Sequence, residues 1–196
     1  MKNIQNVVVF CASAEGNDPI YKEVAYEVGK TLAQKKLTTI YGGGKVGLMG
    51  ACADGALSEN GKVVGIIPDF MTPHEIAHQG VSELVTVESM HERKLQMHER
   101  SDAVLTLPGG FGTFEELFEI LTWIQLGLYQ KPVGILNVDG YYDALEKQLD
   151  HMVNEGLLNE NHRETLFFSG RLEGIFHHFD SFEPQPGIFQ IRPKET

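Results

Sequence analysis

Short apolar runs rich in β-branched residues alternate with longer segments of helical periodicity along most of this chain. The first run, NVVVFCA at residues 6–12, precedes a helical pattern at residues 19–35, and the alternation continues to about residue 155. Successive parallel strands need a crossover of a dozen or more residues, usually a helix. Strands that are apolar throughout are typical of a sheet with helices on both faces. The pattern therefore predicts an α/β fold, Rossmann-like and doubly wound, with a mostly parallel sheet.

The predicted elements follow one another without a linker or a long repeat. Strands are predicted at residues 6–12, 37–41, 62–67, 84–87, 102–107, 132–137 and 166–169. Helices are predicted at residues 19–35, 46–60, 88–100, 114–128, 141–155 and 172–182. The tail at residues 183–196 contains three prolines and is predicted to be irregular. A chain of 196 residues with this organisation is expected to form a single domain over residues 1–196.

An excess of negative charge limits the partners. The chain has 16 Lys and Arg against 27 Asp and Glu, a formal net charge of −11. General nucleic-acid binders rely on Lys and Arg to neutralise phosphates, and anionic membrane surfaces attract basic segments. We therefore expect neither nucleic acid nor a membrane as a partner. A bound phosphate would need a local site that works against the overall field.

The N-terminus and the cysteines favour a cytoplasmic location. The chain does not open with a charged segment followed by a long apolar run, and no apolar run approaches the ~20 residues that cross a bilayer. Cys11 and Cys52 are too few for a disulfide framework or a zinc cluster. Their apolar surroundings predict that both are buried free thiols.

A first glycine loop, GGGKVG at residues 42–47, lies between a predicted strand and a predicted helix. It satisfies the G-x-G-x-x-G pattern of dinucleotide-binding turns. However, it follows the second strand, and Pro68 precedes the acid that should close the next one, which argues against NAD. A tight turn that packs helix on sheet and a turn that contacts a ligand both stay open. Gly43 and Gly44, with Ser13 in the preceding loop, are secondary candidates for ligand contact.

A second glycine loop, PGGFGT at residues 108–113, is the sharper signal. Glycines allow a backbone to approach an anion, and a helix N-terminus offers unpaired N–H groups with a favourable dipole. Thr113 is predicted to cap the following helix. Glu115 and Glu116 would then lie in its first turn, where carboxylates are common for electrostatic reasons alone. Beside an anion cradle, however, two carboxylates suggest chemistry next to a bound phosphate.

The segment MHERKLQMHER at residues 90–100 repeats Met-His-Glu-Arg after seven residues. This spacing puts Arg93 and Arg100 near one helical face. A solvated charged face is the ordinary interpretation of such a run. The alternative is that the helix, which immediately precedes the fifth strand, brings a basic pair to the loop at residues 108–113.

The nine residues PGGFGTFEE at 108–116 resemble the PGGxGTxxE signature of the Lonely guy family. Its members are cytokinin riboside 5′-monophosphate phosphoribohydrolases, often mislabelled as lysine decarboxylases. Three further segments are similar to family sequence: MHERK at residues 90–94, YGGGKVGLMG at 41–50 and KPVGILNVDGYY at 131–142. The resemblance covers roughly residues 7–155, and two signatures in the right order make it specific.

The resemblance implies hydrolysis of the N-glycosidic bond of an adenosine 5′-monophosphate, with or without an N6 modification, to free base and ribose 5-phosphate. It implies no cofactor and no metal, and a homodimer with the site near the subunit interface. Arg93 and Glu116 are implied as the catalytic pair. The implied substrate contacts are Glu75, Lys94, Gly109, Gly110, Phe111, Gly112, Thr113, Glu115 and Thr122.

Those two roles are chemically coherent. Cleavage of the bond builds positive charge on the ribose, as in the oxocarbenium-like state of glycoside hydrolysis. A carboxylate at Glu116 would stabilise that charge and orient the attacking water. Arg93 would either anchor the ribose–phosphate or stabilise the departing base.

Three other functions compete with the hydrolase. A nucleotide-binding carrier or sensor would need the second glycine loop but would tolerate loss of Glu116. A pyridoxal phosphate-dependent decarboxylase would need a Schiff-base lysine and a pyridinium partner, for which the sequence has no recognisable placement. Residues 74–78, HEIAH, match the zinc-protease motif, but Pro73 and Gly80 leave scarcely two helical turns, which argues against zinc catalysis. The preferred base and the physiological role stay open.

Overall fold

A single sheet of seven parallel strands organises the chain. The computed structural model describes residues 4–74 and 77–184. The strands are β1 (Asn6–Phe10), β2 (Thr38–Tyr41), β3 (Val63–Pro68), β4 (Glu83–Val87), β5 (Ala103–Thr106), β6 (Val133–Leu136) and β7 (Leu166–Ser169), and they lie in the order β4-β3-β2-β1-β5-β6-β7. All pairs are parallel, and Val8 of β1 is in register with Ile40 on one side and Val104 on the other. This arrangement confirms the predicted α/β fold.

Helices connect the strands. They are α1 (Pro19–Gln34), α2 (Gly47–Ser58), α3 (Met90–Arg100), α4 (Phe111–Leu126), α5 (Asp143–Asn154), α6 (Glu160–Arg163) and α7 (Leu172–Ser181), with 3-10 turns at Asp69–His74 and Val138–Gly140. The predicted elements match these bounds within one to three residues. The short helix α6 and the two 3-10 turns were not predicted, because segments this short have no measurable periodicity. The predicted irregular tail lies outside the described residues from 185 onward.

The two faces of the sheet support separate halves of the core. Val7 and Val9 of β1 point to the face covered by α1, α2 and α7. Val8 and Phe10 point to the opposite face, where α3, α4 and α5 pack. This alternation follows from the two-residue period of a strand, and it explains why the strands read as continuously apolar. The sheet is therefore doubly wound, as predicted.

Helices α1 and α2 approach each other closely because glycines line their contact. A Cβ atom at Gly29 would lie 1.9 Å from the Cys52 carbonyl oxygen, and one at Gly55 would lie 2.0 Å from that of Tyr26. Both distances are far below van der Waals contact, so only glycine fits at either position. The buried, free states predicted for Cys11 and Cys52 are confirmed. Among the described residues, no helix combines the length and the apolar character that a bilayer crossing requires.

The strand order creates a switch point between β1 and β5. From β1 the chain builds outward through β2, β3 and β4, then returns to β5 on the other side of β1. The loops that leave β1 and β5 therefore diverge to opposite faces and open a crevice at the carboxyl end of the sheet. The second glycine loop follows β5 and so lies at this crevice.

Candidate active site

A cavity of about 300 Å³ occupies the crevice at the switch point. Its walls come from the end of β1 and the loop after it, from the first two turns of α4, from the backbone at Gly42 after β2, and from side chains of α2, α3 and the 3-10 turn after β3. The lining residues are Val9, Cys11, Ala12, Ser13, Ala14, Gly42, Met49, Met71, Arg93, Gly110, Phe111, Gly112, Thr113 and Glu116. Six residues predicted as catalytic pair or substrate contacts therefore meet in one place: Arg93, Gly110, Phe111, Gly112, Thr113 and Glu116.

The N-terminus of α4 opens into this cavity. Gly110 is the N-cap and has no side chain to bond the first N–H groups, and the first intrahelical bond runs from the Phe114 N–H to the Gly110 oxygen, 3.1 Å. A Cβ at Gly110 or Gly112 would meet nothing within 4 Å, and Phe111 is 97% exposed. Within the described ranges, the N–H groups of residues 111–113 have no acceptor. Such a terminus is suited to bind an anion.

The helix begins three residues earlier than predicted, which corrects two expectations. Thr113 is not the N-cap, since it lies in the first turn of α4 and its side chain is buried. Glu115 and Glu116 lie in the second turn instead of the first. The sequence pattern placed the start late because Gly110 and Gly112 have poor helix propensity. Packing of the helix on the sheet outweighs that propensity here.

Gly109 is required by the fold of the loop. A Cβ at this position would lie 2.0 Å from the Thr113 Oγ1 atom. The Gly109 carbonyl oxygen accepts a hydrogen bond of 2.7 Å from the Tyr141 hydroxyl. Gly109 therefore shapes the second glycine loop from behind the cavity wall.

Arg93 is buried and held in place by backbone carbonyls. Its Nε atom donates to the Ile66 oxygen at the end of β3, 3.1 Å, and its Nη2 atom donates to the Gly42 oxygen after β2, 2.9 Å. A Cβ at Gly42 would lie 1.9 Å from Nη2, so this glycine makes room for the guanidinium. No carboxylate in the described part of the chain forms an ion pair with Arg93. The cavity wall thus contains a fixed positive charge.

Glu116 lies in the cavity wall, and the pKa of its carboxyl group is raised. Burial raises the pKa of its carboxyl group from the ordinary value of 4.5 to about 7. The nearby Arg93 charge opposes this rise, and Lys94 opposes it more weakly, whereas Glu115 and Glu119 add to it. A carboxyl group with a pKa near neutrality is typical of general acids and bases. Arg93 and Glu116 together give the cavity one fixed cation and one titratable carboxyl group.

Besides Gly109, three expected substrate contacts lie outside the cavity wall: Lys94, Glu115 and Thr122. Lys94 forms ion pairs with Glu115 and, at 3.0 Å, with Glu119, so it joins α3 to α4. Although burial lowers the pKa of Lys94, hydrogen bonds to these two carboxylates raise it above its ordinary value. Thr122 is exposed on α4, and its hydroxyl donates to the Phe118 oxygen, 2.8 Å.

Of the two arginines considered as a basic pair, only Arg93 lines the cavity, and Arg100 fits the solvated charged face. Arg100 pairs with Glu83 of β4 at 2.8 Å and does not approach the second glycine loop. Two residues that are seven positions apart lie on the same face of a helix, but about 10 Å apart along its axis. The two arginines therefore share a face without sharing a site.

The first glycine loop serves the packing of α2. The Leu48 and Met49 N–H groups donate to the oxygens of Ala14 and Ala12, both at 3.2 Å, so the N-terminus of α2 is already occupied. Gly43 adopts a positive φ of 75°, and Gly44 forms a bridge to Ala77. Neither lines the cavity, whereas Ser13 does. These contacts favour the packing-turn interpretation over a dinucleotide site.

Part of the HEIAH segment lies outside the described residues. Glu75, an expected substrate contact, is among the residues not described. The His78 Nε2 atom lies 2.9 Å from an Asp54 carboxylate oxygen, so this histidine connects its loop to α2. Residues 4–74 and 77–184 contain no group of three or more potential ligands arranged for a metal ion.

Sequence reasoning missed several residues of the site. Cys11, Met49 and Met71 line the cavity, and Tyr141 and Tyr142 contact the second glycine loop from outside. The tyrosines had a usable signal, because an Asp-Gly turn follows the strand beside β5 and carries them to the same edge of the sheet. Met71 lies on a 3-10 turn, which could not be predicted because so short a segment has no measurable hydrophobic periodicity.

Comparisons with known proteins agree on one family. A family model described as "Possible lysine decarboxylase" matches residues 49–179. The chain is 39% identical over 181 residues to a cytokinin riboside 5′-monophosphate phosphoribohydrolase of Arabidopsis thaliana, covering 92% of this chain and 83% of that protein. It is 42% identical over 180 residues to a probable cytokinin riboside 5′-monophosphate phosphoribohydrolase of Oryza sativa subsp. japonica, covering 92% and 79%.

A solved structure shares the fold at low identity. The molybdenum cofactor binding protein from the phototrophic bacterium Rippkaea orientalis matches with a TM-score of 0.68 and 20% identity, covering 92% of this chain and 98% of that one. At such identity the likeness extends to the architecture alone.

Proposed function

The chain belongs to the Lonely guy family, the cytokinin riboside 5′-monophosphate phosphoribohydrolases, and on that basis we propose that it hydrolyses adenosine 5′-monophosphates. Water cleaves the N-glycosidic bond, and the products are the free base, plain or N6-modified, and ribose 5-phosphate. One observation carries the proposal for this chain. Arg93, Glu116 and the open N-terminus of α4 line a single cavity at the switch point of the sheet.

The N-terminus of α4 is the proposed phosphate site. Backbone N–H groups at residues 110–113 would bond the phosphate oxygens, and the helix dipole favours the negative charge. Because the phosphate does not react, its binding energy goes into positioning the ribose. The nearby Arg93 charge supports binding of the anionic ribose–phosphate against the net charge of −11.

Glu116 is the proposed catalytic carboxylate. It lies one turn beyond the phosphate-binding end of α4, on the cavity side. In its ionised form it would stabilise the positive charge that develops on the ribose and orient the attacking water. The water oxygen bonds to C1′ as the C1′–N9 bond breaks, and the base leaves with the electron pair of that bond. The water gives up one proton to the Glu116 carboxylate, and the departing base takes up one proton at its nitrogen, so the products are the neutral base and ribose 5-phosphate.

Lys94 and Glu115 are proposed to support this arrangement without lining the cavity. Their ion pair joins α3 to α4. Lys94 follows Arg93 directly in the sequence, and Glu115 directly precedes Glu116. We propose Gly109, Gly110, Phe111, Gly112 and Thr113 as the loop that surrounds the phosphate.

A homodimer is proposed through the outer face of α3 and α4. Leu95, Phe118 and Leu128 are exposed on this part of the surface. Leu95 and Leu128 border one surface pocket, and contiguous exposed apolar side chains are typical of protein–protein contacts. Thr122 lies one turn from Phe118 and would then be near the interface.

A domain organisation and a cellular location are also proposed. We propose that the chain works as one nucleotide-binding domain over residues 1–196 in the cytoplasm, where two free thiols such as Cys11 and Cys52 are stable. A decarboxylase with pyridoxal phosphate fits less well, because no lysine is among the described residues that line the cavity.

The test is chromatography of AMP and isopentenyl-AMP after incubation with the protein. We expect free base and ribose 5-phosphate from the wild type, and a loss of at least about 100-fold in Glu116→Gln and Arg93→Ala. Glu155→Gln and Arg171→Ala, at exposed positions far from the cavity, are the matched controls and should keep full activity. Binding of AMP without cleavage would instead identify a nucleotide carrier or sensor.

A further inference from the structure

Each carbonyl oxygen from Leu107, directly after β5, to Gly110 in the second glycine loop accepts a hydrogen bond. The Leu107 and Gly109 oxygens accept from the hydroxyls of Tyr142 and Tyr141, both at 2.7 Å. The other two oxygens accept from backbone N–H groups: Pro108 from Ala12, 3.2 Å, and Gly110 from Phe114, 3.1 Å. The carbonyls that could repel an anion are therefore all engaged by protein groups.

The bond from Tyr141 has a directional consequence. In a trans peptide the C=O and the following N–H point in opposite directions. The hydroxyl that fixes the Gly109 carbonyl therefore also fixes the direction of the Gly110 N–H. Gly110 lines the cavity, whereas Gly109 does not. Neither glycine has a side chain that could hold this peptide plane by packing, so an outside contact is needed.

The tyrosine itself is held firmly. Asp139 and Gly140 adopt positive φ values of 49° and 72° and turn the chain back towards the glycine loop. The Tyr141 ring makes edge contacts with the rings of Tyr142, 4.9 Å, and Tyr21, 5.7 Å. Aromatic contacts of this geometry restrict the ring and so place its hydroxyl.

We propose that Tyr141 is a positioning residue for the substrate's phosphate group. Its hydroxyl holds the Gly109 carbonyl away from the anion and aims the Gly110 N–H at it. The inference rests on the proposed phosphate site but not on cleavage. Loss of the hydroxyl releases the peptide plane, so phosphate binding weakens while the chemistry at Glu116 continues.

The experiment compares wild type, Tyr141→Phe and the control Tyr26→Phe, whose hydroxyl has no hydrogen-bond partner in the described ranges. Calorimetric titration with ribose 5-phosphate measures binding, and adenosine serves as the ligand without phosphate. In Tyr141→Phe we expect the Kd for ribose 5-phosphate and the KM for AMP to rise by about three- to tenfold, the size of one hydrogen bond. The kcat and the Kd for adenosine should change less than twofold.

Three outcomes overturn the assignment. Equal Kd and KM values in wild type and Tyr141→Phe would remove any role for the hydroxyl, and equal losses for ribose 5-phosphate and adenosine would indicate a general structural role. If the wild type binds ribose 5-phosphate but cleaves no nucleotide, the proposed hydrolase fails while the binding comparison still decides the role of Tyr141. A wild type without affinity for ribose 5-phosphate overturns the proposed phosphate site and with it the role of Tyr141, while cleavage of AMP decides the proposed hydrolase separately.

Discussion

At the scale of single residues, the chemistry proposed for the cavity depends on the protonation of one carboxyl group, that of Glu116. Burial raises the pKa of Glu116 to about 7, against the opposing charge of Arg93. Glu115, Glu119 and Lys94 act on it from the neighbouring turns of α4 and α3. Near neutral pH a substantial fraction of the free protein therefore holds this group protonated, and only the remainder has the carboxylate that the proposed mechanism uses.

The rate should follow that ionisation. We expect kcat/KM for AMP to rise with pH through about 7 and to level off above about 8, because the carboxylate form of Glu116 is the active one. Steady-state kinetics between pH 5.5 and 9 measure the profile. The substrate phosphate titrates about one unit lower, near 6, so the two transitions can be separated. A profile that falls across pH 7 would mean that Glu116 acts as an acid.

The same group should affect stability. The folded chain keeps the Glu116 proton up to about pH 7, whereas an ordinary carboxyl loses it near 4.5. The free energy of unfolding therefore falls as pH rises between these values. At pH 8 we expect Glu116→Gln to be more stable than wild type by up to about 3 kcal/mol, and the difference should vanish near pH 4.

Urea unfolding at pH 4 and pH 8 tests this expectation. The control Glu155→Gln removes an exposed carboxylate at the end of α5 and should show the same small difference at both pH values. A Glu116→Gln variant that gains nothing on going from pH 4 to pH 8 would contradict the raised pKa.

At the scale of elements, the central strands and the long helices were predictable because their patterns are strong. The apolar run at the start of the chain and the Pro-opened helix after it match β1 and α1 closely. The start of α4 was predicted late, since glycine at positions 110 and 112 signals a loop when only local propensity is considered. What places the helix start is packing against the sheet, which a local pattern does not contain.

The site shows the same division. Arg93, Glu116 and the second glycine loop, which line the cavity, could be proposed from the sequence because each belongs to a recognisable segment that follows a strand. The groups that hold Arg93 could not be predicted in this way. They are the carbonyl oxygens of Ile66 and Gly42, which belong to other parts of the sheet. Such contacts depend on strand order, which no single segment reveals.

The contact between α1 and α2 should not tolerate one added methyl group. Gly55→Ala would place a Cβ 2.0 Å from the Tyr26 oxygen, and backbone atoms cannot yield cheaply. We expect a loss of about 1–3 kcal/mol in the free energy of unfolding, measured by urea denaturation. The control Gly170→Ala, whose Cβ would meet its nearest atom at 3.8 Å, should leave stability within about 0.5 kcal/mol. An unchanged Gly55→Ala would mean that the helices can separate at little cost.

At the scale of the whole molecule, the strand order explains why residues distant in sequence meet. The chain leaves β1 in one direction and returns to β5 in the other, so the loops that follow both strands share one crevice. Arg93 enters from α3, just before the return, and Glu116 from α4, just after it. The catalytic pair proposed here is thus a product of the topology as much as of either helix.

The assembly state is the prediction that belongs to this scale. Light scattering on the eluting protein should give twice the chain mass of 21.8 kDa. The double variant Leu95→Asp, Phe118→Asp places charges on the exposed apolar face and should elute at the mass of one chain. Leu157→Asp, at a position 82% exposed after α5, is the control and should remain a dimer. A wild type of single-chain mass at micromolar concentration would exclude the interface.

The cavity wall that is proposed to face the phosphate is built almost wholly from main chain. N–H groups at the start of α4, with no side-chain cap, provide the donors, and the glycines around them leave open space. A survey that replaces every side chain in turn would therefore register phosphate recognition weakly or not at all at Gly110 and Gly112. It would find sharp intolerance at Gly109, where an added Cβ collides with Thr113. If phosphate binds here as proposed, substitutions would be harmful mainly where space is scarce, and the backbone N–H groups that contact the phosphate would not be detected by side-chain replacement.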